Sequence, residues 1–572
     1  MNTSRRDFLR YGLAGTTLSV AAAHSGIARA STSGPAGAPG PGRAVRLRPF
    51  LEPLPVPGDG IVVATPTAPG TYHFALRQIR RRLHPQLPRT PVWAYDDGSG
   101  LGGQAGSFGM AIAAQTGTPV QVSYTHRLPA RYPSWIPVDT RLTPLGRQVR
   151  MMAHLHGGFV AAADDGNPMV TPDGFGPGET QSVTYPNEAP QQSARLMWFH
   201  DHAMGATRLN VFAGLAGAYI LRDQHDTGTE PNPIGIPGGA YEIPLVIQDR
   251  QFNLDGTFRY PVSSIPGVTW IGEYFGDHML VNGKVWPYLE VEPRLYRFRV
   301  LNGCNARIMS LDLGGVPMWQ IGAEGGMWDR PVRMERLVLT PAERADVIAD
   351  FRGFEGRSLV VRNATPAPPV STPAPPLPTV MQIRVGTSVT HRGPRHIPHD
   401  LPGQAARLPR AAVTRFITLN ELEPETDGWW LNLNAAHFGK ASEHPRAGTV
   451  EDWVFVNLTM DTHPMHTHLF THQVIGRVPF DAEAYEKKYE GRFGVPGGID
   501  PHPFATGPML PPTPDERGFK DTTKVNPGTF TIVRGRIELP AGVRAPQSYV
   551  YHCHIVEHED NDMMQSFTVL PH

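Results

Sequence analysis

Apolar residues along this chain recur at every second position in short runs, the pattern of strands with one face buried and one face wet. Pro119-Val120-Gln121-Val122-Ser123-Tyr124 and Tyr296-Arg297-Phe298-Arg299-Val300 show it most cleanly. The same reading predicts strands over 148–153, 196–199, 215–221, 243–249, 380–385 and 450–458. Asn282-Gly283, between Val281 and Lys284, is the signal of a tight hairpin turn. Long runs with helical period are scarce, and 60 Gly with 59 Pro imply many turns. The fold class predicted is all-β.

With 572 residues the chain exceeds what one core serves, so several domains are expected. Strand runs and the breaks between them place these at residues 46–225, 240–388 and 411–572. The proline-dense stretch from Pro366 to Pro378 precedes a strand and reads as a polyproline-like loop inside the second domain. A long Gly/Pro/charged insertion spans 480–520; loops of that length inside a domain are usually functional or disordered, and it is expected to border the substrate site, with surface decoration as the alternative.

Ser4-Arg5-Arg6-Asp7-Phe8-Leu9-Arg10, the mildly apolar stretch after it and Ala28-Arg29-Ala30 read as a twin-arginine signal peptide over residues 1–30, followed by a flexible linker at 31–45. Export by the twin-arginine route to a periplasm or the extracellular space is expected. The mature chain carries no candidate membrane span. Lys plus Arg balance Asp plus Glu at 52 each, so nucleic-acid binding lacks electrostatic support. Of two Cys, Cys304 is expected to be a small buried thiol without a disulfide partner.

The chemistry lies near the C-terminus, in Tyr551-His552-Cys553-His554-Ile555-Val556-Glu557-His558-Glu559-Asp560-Asn561-Asp562-Met563. Read as a strand entering a loop, it points His552 and His554 one way and Cys553 the other, so one run serves two sites. Cys with two His and a weak axial Met is the ligand set of a blue-copper site. Cys553, His558 and Met563 are local, and His463 of His463-Pro464-Met465-His466-Thr467-His468 supplies the second imidazole. Eight His remain in four i, i+2 pairs: His154/His156, His200/His202, His466/His468 and His552/His554. That set suits three metals held by imidazole. One His-x-His pair alone is weak, because His is common in polar loops. Four pairs, one of them wrapped around a lone Cys, are not explained that way.

These four segments, with Trp198-Phe199-His200-Asp201-His202 and the run from Met204 to Asn210, resemble the four copper-binding signatures of the multicopper oxidase family, in the branch of bacterial laccases, spore-coat oxidases, phenoxazinone synthases and bilirubin oxidases. The resemblance implies three cupredoxin-like Greek-key β-barrels with a trinuclear cluster between the first and the last. It implies a type 1 copper on His463, Cys553, His558 and axial Met563. A type 2 copper falls to His154 and His466, and a type 3 pair to His156, His200, His202, His468, His552 and His554. The implied activity is one-electron oxidation of small phenols or arylamines coupled to four-electron reduction of dioxygen to water. The electron would be donated through a solvent-facing His edge and would pass from Cys553 into His552 and His554.

Dioxygen reduction consumes protons, and Glu559, Asp165 and Asp164 are the acids expected to relay them, unless they orient ligand rings instead. Oxidation of cuprous or other metal ions for detoxification is the alternative, although the 18 Met are scattered and the 480–520 insertion holds only Met509. A copper carrier would not require eight cluster His, and a copper nitrite reductase would not require a type 3 set.

Overall fold

Three pairs of sheets follow one another along the chain. The computed structural model describes residues 45–99, 110–143, 145–403, 407–422, 430–434, 436–439, 443–489 and 498–572. The segment read as a signal peptide, 1–30, and the stretch read as a linker, up to residue 44, lie outside them. The first pair joins a six-stranded sheet, ending on Arg195–Asp201 and the edge strand Ala153–His156, to a four-stranded one containing Val120–Arg127. The second pairs seven strands with five, and the third five with four. Among the described residues, helix is confined to short pieces such as Thr207–Ala213, Ala482–Tyr489 and Val556–Glu559. The all-β reading holds.

Each core lies between the two sheets of its pair. Phe74, Val122 and Tyr124 of one sheet meet Ile112, Phe199 and Tyr219 of the other in the first. Ile417, Trp453 and Val533 meet Met465, Tyr551 and Cys553 in the third. The hairpin expected at Asn282-Gly283 is present: Val281 pairs with Lys284, and both turn residues have positive φ (49° and 76°). The 366–378 stretch connects the adjacent antiparallel strands Ser358–Asn363 and Thr379–Val385, inside one sheet. Cys304 is buried, its Sγ 3.8 Å from the Ile247 carbonyl.

Two local readings need correction. The strand expected over 148–153 begins only at Ala153 and runs to His156, so the two histidines belong to the strand rather than following it. The loop expected after His554 contains a turn of helix, Val556–Glu559, that lifts His558 back toward Cys553.

The 480–520 insertion runs beside the edge strand His472–Pro479. Arg477 bridges to Leu510, Phe480 to Ala505 and His472 to Lys520. Its described residues thus cover an exposed sheet edge, which otherwise invites pairing with another chain. The Arg517 guanidinium donates to Asp329 at 2.6 Å, and Lys520 donates to Glu324 at 2.7 Å, tying the third sandwich to the second. First and second are joined by a buried cluster in which Arg297 donates to both oxygens of Asp226 (2.9 and 2.8 Å) and Arg222 to Glu242 (2.8 Å).

Candidate metal centre

Strand parity builds the site. Across the antiparallel ladder His463–Thr467 against Gln547–Cys553, Met465 pairs with Cys553 and His466 with His552. Opposed residues share a face. Met465 and Cys553 face the third core, so His466 and His552 face out of that sandwich. In the first sandwich His154 pairs with His200, and His156 with Trp198. There Ala153, Leu155, Met197 and Phe199 enter the core, leaving the even-numbered histidines outward. The two outward faces meet, and all eight histidines are buried between them.

The rings form two triads and a pair. The Nε2 atom of His552 lies 3.3 Å from those of both His202 and His468. On the other side His156, His200 and His554 have ring centroids 4.9–5.7 Å apart. His154 stacks on His468 (4.0 Å) and His156 on His466 (3.7 Å).

Tautomers follow from the outer partners, because a carbonyl only accepts. Nδ1 of His154, His200, His466 and His552 donates to the carbonyls of Asp165 (2.5 Å), Asp201 (2.8 Å), Asp521 (2.9 Å) and Cys553 (3.1 Å). Nδ1 of His468 donates to the Asp165 carboxylate at 2.7 Å. Nε2 of His156 donates to Asp521 Oδ1 at 3.1 Å. Each ring therefore turns a lone pair inward. Nε2 of His154, His200 and His466, and Nδ1 of His156, are buried and have no hydrogen-bond partner. Lone pairs facing one another at 3.3 Å repel unless a cation sits among them. Burial, then the neighbouring rings, hold His154, His200, His202 and His552 well below the ordinary imidazole range, in the neutral form that ligates metal.

The second centre lies one residue away on the opposite face. Cys553 Sγ, His463 Nδ1 and His558 Nδ1 form a triangle with sides of 3.5, 3.7 and 3.2 Å. The outer nitrogens are tied, His463 Nε2 to Thr459 Oγ1 (2.5 Å) and His558 Nε2 to Glu273 Oε1 (3.2 Å). Met563 is fully buried in the same core cluster; its carbonyl accepts from Cys553 N–H and its N–H donates to His558. Burial pushes the Cys553 thiol far up, so a thiolate here requires a cation, and a coordinating metal supplies it. Imidazole and thiolate donors beside a buried Met are the set that suits copper. A solvent-facing histidine edge is not found: His463 and His558 are each 1% exposed.

The three acids separate. Glu559 is buried with Oε2 3.3 Å from His552 Nδ1 and Oε1 3.6 Å from His202 Nε2. Burial, then Asp560, push its carboxyl well up. Asp165 orients His468 through its carboxylate and His154 through its carbonyl. Asp164 is half-buried and accepts the Thr184 N–H at 3.1 Å.

Four contributors were not legible in the sequence. Asp521 serves His156 with its carboxylate and His466 with its carbonyl. Arg344, from the second sandwich, donates to both Asp521 oxygens (2.8 and 2.6 Å). Burial pushes Asp521 up, but Arg344 holds it below the ordinary carboxylate range. Thr459 and Glu273 are the others. The second sandwich takes part in both centres, supplying Arg344 to one and Glu273 to the other.

Residues 147–226 and 413–572 match family profiles described as multicopper oxidase. The chain is 34% identical over 550 residues to a laccase of Bacillus subtilis (strain 168), covering 92% of this chain and 99% of that one. Identity is again 34% over 546 residues to a laccase of Bacillus stratosphericus, covering 92% and 100%. The McoA multicopper oxidase of the hyperthermophile Aquifex aeolicus has the same fold, with a TM-score of 0.70 at 23% identity over 92% of this chain and 100% of that one. Two buried centres with copper-type donors and these similarities lead to one conclusion: the chain belongs to the multicopper oxidase family, in its laccase branch, and is a copper-dependent oxidoreductase with dioxygen as acceptor.

Proposed function

We propose an exported laccase-like oxidase that takes single electrons from phenols or arylamines at the mononuclear centre and delivers them to the histidine cluster, where dioxygen becomes water. The observation that carries this is the adjacency of Cys553 to His552 and His554: one peptide run joins the two centres. Copper, when bound, supplies the one-electron redox steps and binds dioxygen.

His463, Cys553, His558 and Met563 would hold one ion. His154 and His466 would hold the type 2 ion of the cluster. The triads His202/His468/His552 and His156/His200/His554 would hold the type 3 pair. Asp165 and Asp521 fix ring orientation from outside. Glu559, beside rings of both sandwiches, is assigned to hand protons to the cluster; Asp165, spent on His468, is a positioning residue, and Asp164 is more remote. The twin-arginine segment supports export to a periplasm or beyond.

Oxidation of cuprous or other metal ions is the second reading. It is favoured by Glu273, a carboxylate with its side chain 10% exposed that reaches His558 where no imidazole edge does. The test is oxygen uptake by the copper-loaded protein with a simple phenol and, separately, with Cu(I). Fast uptake with the phenol alone is expected; uptake only with Cu(I) would replace the first reading by the second.

A further inference from the structure

A cleft of about 660 Å³ lies where the three sandwiches meet. That size is typical of sites for small molecules, which pair an apolar wall with a few convergent polar groups. Here the apolar wall is Phe159 of the first sandwich, Met327 of the second, and Leu469 and Phe519 of the third. Leu469 directly follows the cluster residue His468, and Gly157, also in the wall, directly follows His156. None of His463, Cys553, His558, Met563 and Glu273 lines the cleft, so it is distinct from the mononuclear centre.

Two buried polar side chains line the cleft with hydrogen-bonding capacity left over. Arg195 is 3% exposed. Its Nε donates to the Ser193 carbonyl (2.9 Å), and its Nη2 to the Gln191 carbonyl (2.8 Å) and Ser193 Oγ (3.2 Å). Its Nη1 reaches the Glu324 carbonyl only at 3.5 Å. These four acceptors serve the five N–H groups of a guanidinium, and among the described residues Arg195 makes no ion pair. A buried cation without a counter-ion is costly. Two carboxylates in the wall do not supply one. Asp223 accepts the N–H groups of Ala194 (2.9 Å), His225 (2.8 Å) and Asp226 (2.9 Å), and Glu538 accepts from Gln191 Nε2 (2.8 Å). The second side chain is Gln192, 1% exposed. Its Nε2 donates to the Gly157 carbonyl at 3.2 Å, while its Oε1 is buried with no hydrogen-bond partner. Such an acceptor bears the full cost of its desolvation.

We propose that this cleft is a binding site for a small aromatic carboxylate bearing a hydroxyl or amino group. The carboxylate meets Arg195, the hydroxyl or amino hydrogen goes to Gln192 Oε1, and the ring lies against the apolar wall. Each part answers a group the fold leaves unmet. An inorganic anion would leave the glutamine oxygen and the apolar wall uncovered, and a neutral arene would leave the guanidinium without its counter-ion. Gln192 also holds the carbonyl of Gly157, beside His156, so an acid bound here acts on the side of the histidine cluster and away from the centre that takes electrons. The site does not depend on whether the reductant is a phenol or a metal ion.

The test is titration calorimetry of the copper-loaded full chain with 4-(hydroxymethyl)benzoate, which carries the charge and the donor but no phenol to oxidise. Saturable binding of one molecule per chain is expected. Benzoate, which lacks the donor, should bind about tenfold more weakly, and 4-methylbenzyl alcohol, which lacks the charge, about 10–100-fold more weakly. Gln192→Leu should bring 4-(hydroxymethyl)benzoate down to the affinity of benzoate while leaving benzoate itself within about twofold. Should that variant fold poorly, the three ligands on the unaltered protein still decide. Absence of saturable binding overturns the site. So does equal affinity for benzoate and 4-(hydroxymethyl)benzoate, the behaviour of a carboxylate that merely ligates copper. A Gln192→Leu variant that weakens both acids alike would likewise overturn it, because the hydroxyl would then not be read by Gln192.

Discussion

His466 and His552 lie directly opposite one another across an antiparallel ladder, one step from the pair Met465–Cys553. This register separates the centres while leaving them one peptide apart. A slip of one residue would exchange thiolate and imidazole between faces. Replacement of Cys553 by Ser therefore removes a ligand from the inward face only. The expected result is loss of the blue absorption and one copper fewer per chain, with the cluster retained. Visible spectroscopy and copper analysis check it; loss of all copper would show that the centres do not assemble separately.

The Arg344–Asp521 pair predicts coupling between the second sandwich and the cluster. Both side chains are about 1% exposed and hydrogen-bonded on each side. Arg344→Met leaves a buried carboxylate unpaired, which costs about 3–5 kcal/mol. Asp521 also orients His156, so copper affinity of the cluster should fall about 10–100-fold. Adding Asp521→Asn should recover part of the stability but none of the affinity, because the two changes are not additive across a contact. Thermal unfolding with copper titration separates the effects.

Why the ligands could be read from sequence and Asp521, Arg344 and Glu273 could not is a matter of range. The His pairs and Cys553 reveal themselves by period-two spacing within a strand, and the face each occupies follows from parity. Asp521 meets His156 across 365 residues, and Arg344 meets Asp521 across 177. No local pattern marks such partners; each is one charged residue among many until the sandwiches are docked. The same limit applies to the insertion at 480–520. Its length alone marks it as unusual, and that its described residues cover an edge strand follows from sheet order, which is invisible locally. Glu273, which reaches His558, comes from a stretch of the second sandwich where apolar and polar residues alternate irregularly.

Gly157, directly after His156, should not tolerate a side chain. Its φ is +89°, and a Cβ would sit 2.8 Å from Arg344 Nη2 and 2.9 Å from Asp521 Oδ2. Gly157→Ala thus combines backbone strain of about 1–3 kcal/mol with displacement of that ion pair. Lower thermal stability together with reduced copper content is expected. Gly178→Ala, at φ +87° with nothing within 4 Å of the Cβ, carries the strain alone and should keep its copper. The pair of variants separates strain from crowding.

The buried cluster around Asp226 predicts how stability responds to acid. Burial pushes the Asp226 carboxyl up, but Arg297 and Arg299 more than offset this and hold it below the ordinary carboxylate range. A folded-state pKa below the unfolded one means the stabilisation is fully present above the unfolded value, about 3.9, and is lost as pH falls from there toward the folded value. At neutral pH, Asp226→Asn removes the charge that three guanidinium groups, those of Arg222, Arg297 and Arg299, share, and should cost about 3–5 kcal/mol. Below pH about 4 the parent protein loses stability from this group at up to about 1.4 kcal/mol per pH unit, whereas the variant has no such proton to take up. The difference in thermal midpoint between the two proteins should therefore stay constant from pH 7 to about 5 and narrow below about 4. A gap that stays constant into acid would mean that folding leaves the Asp226 carboxyl unshifted, and that Glu242 and Asp346 balance the arginines without it.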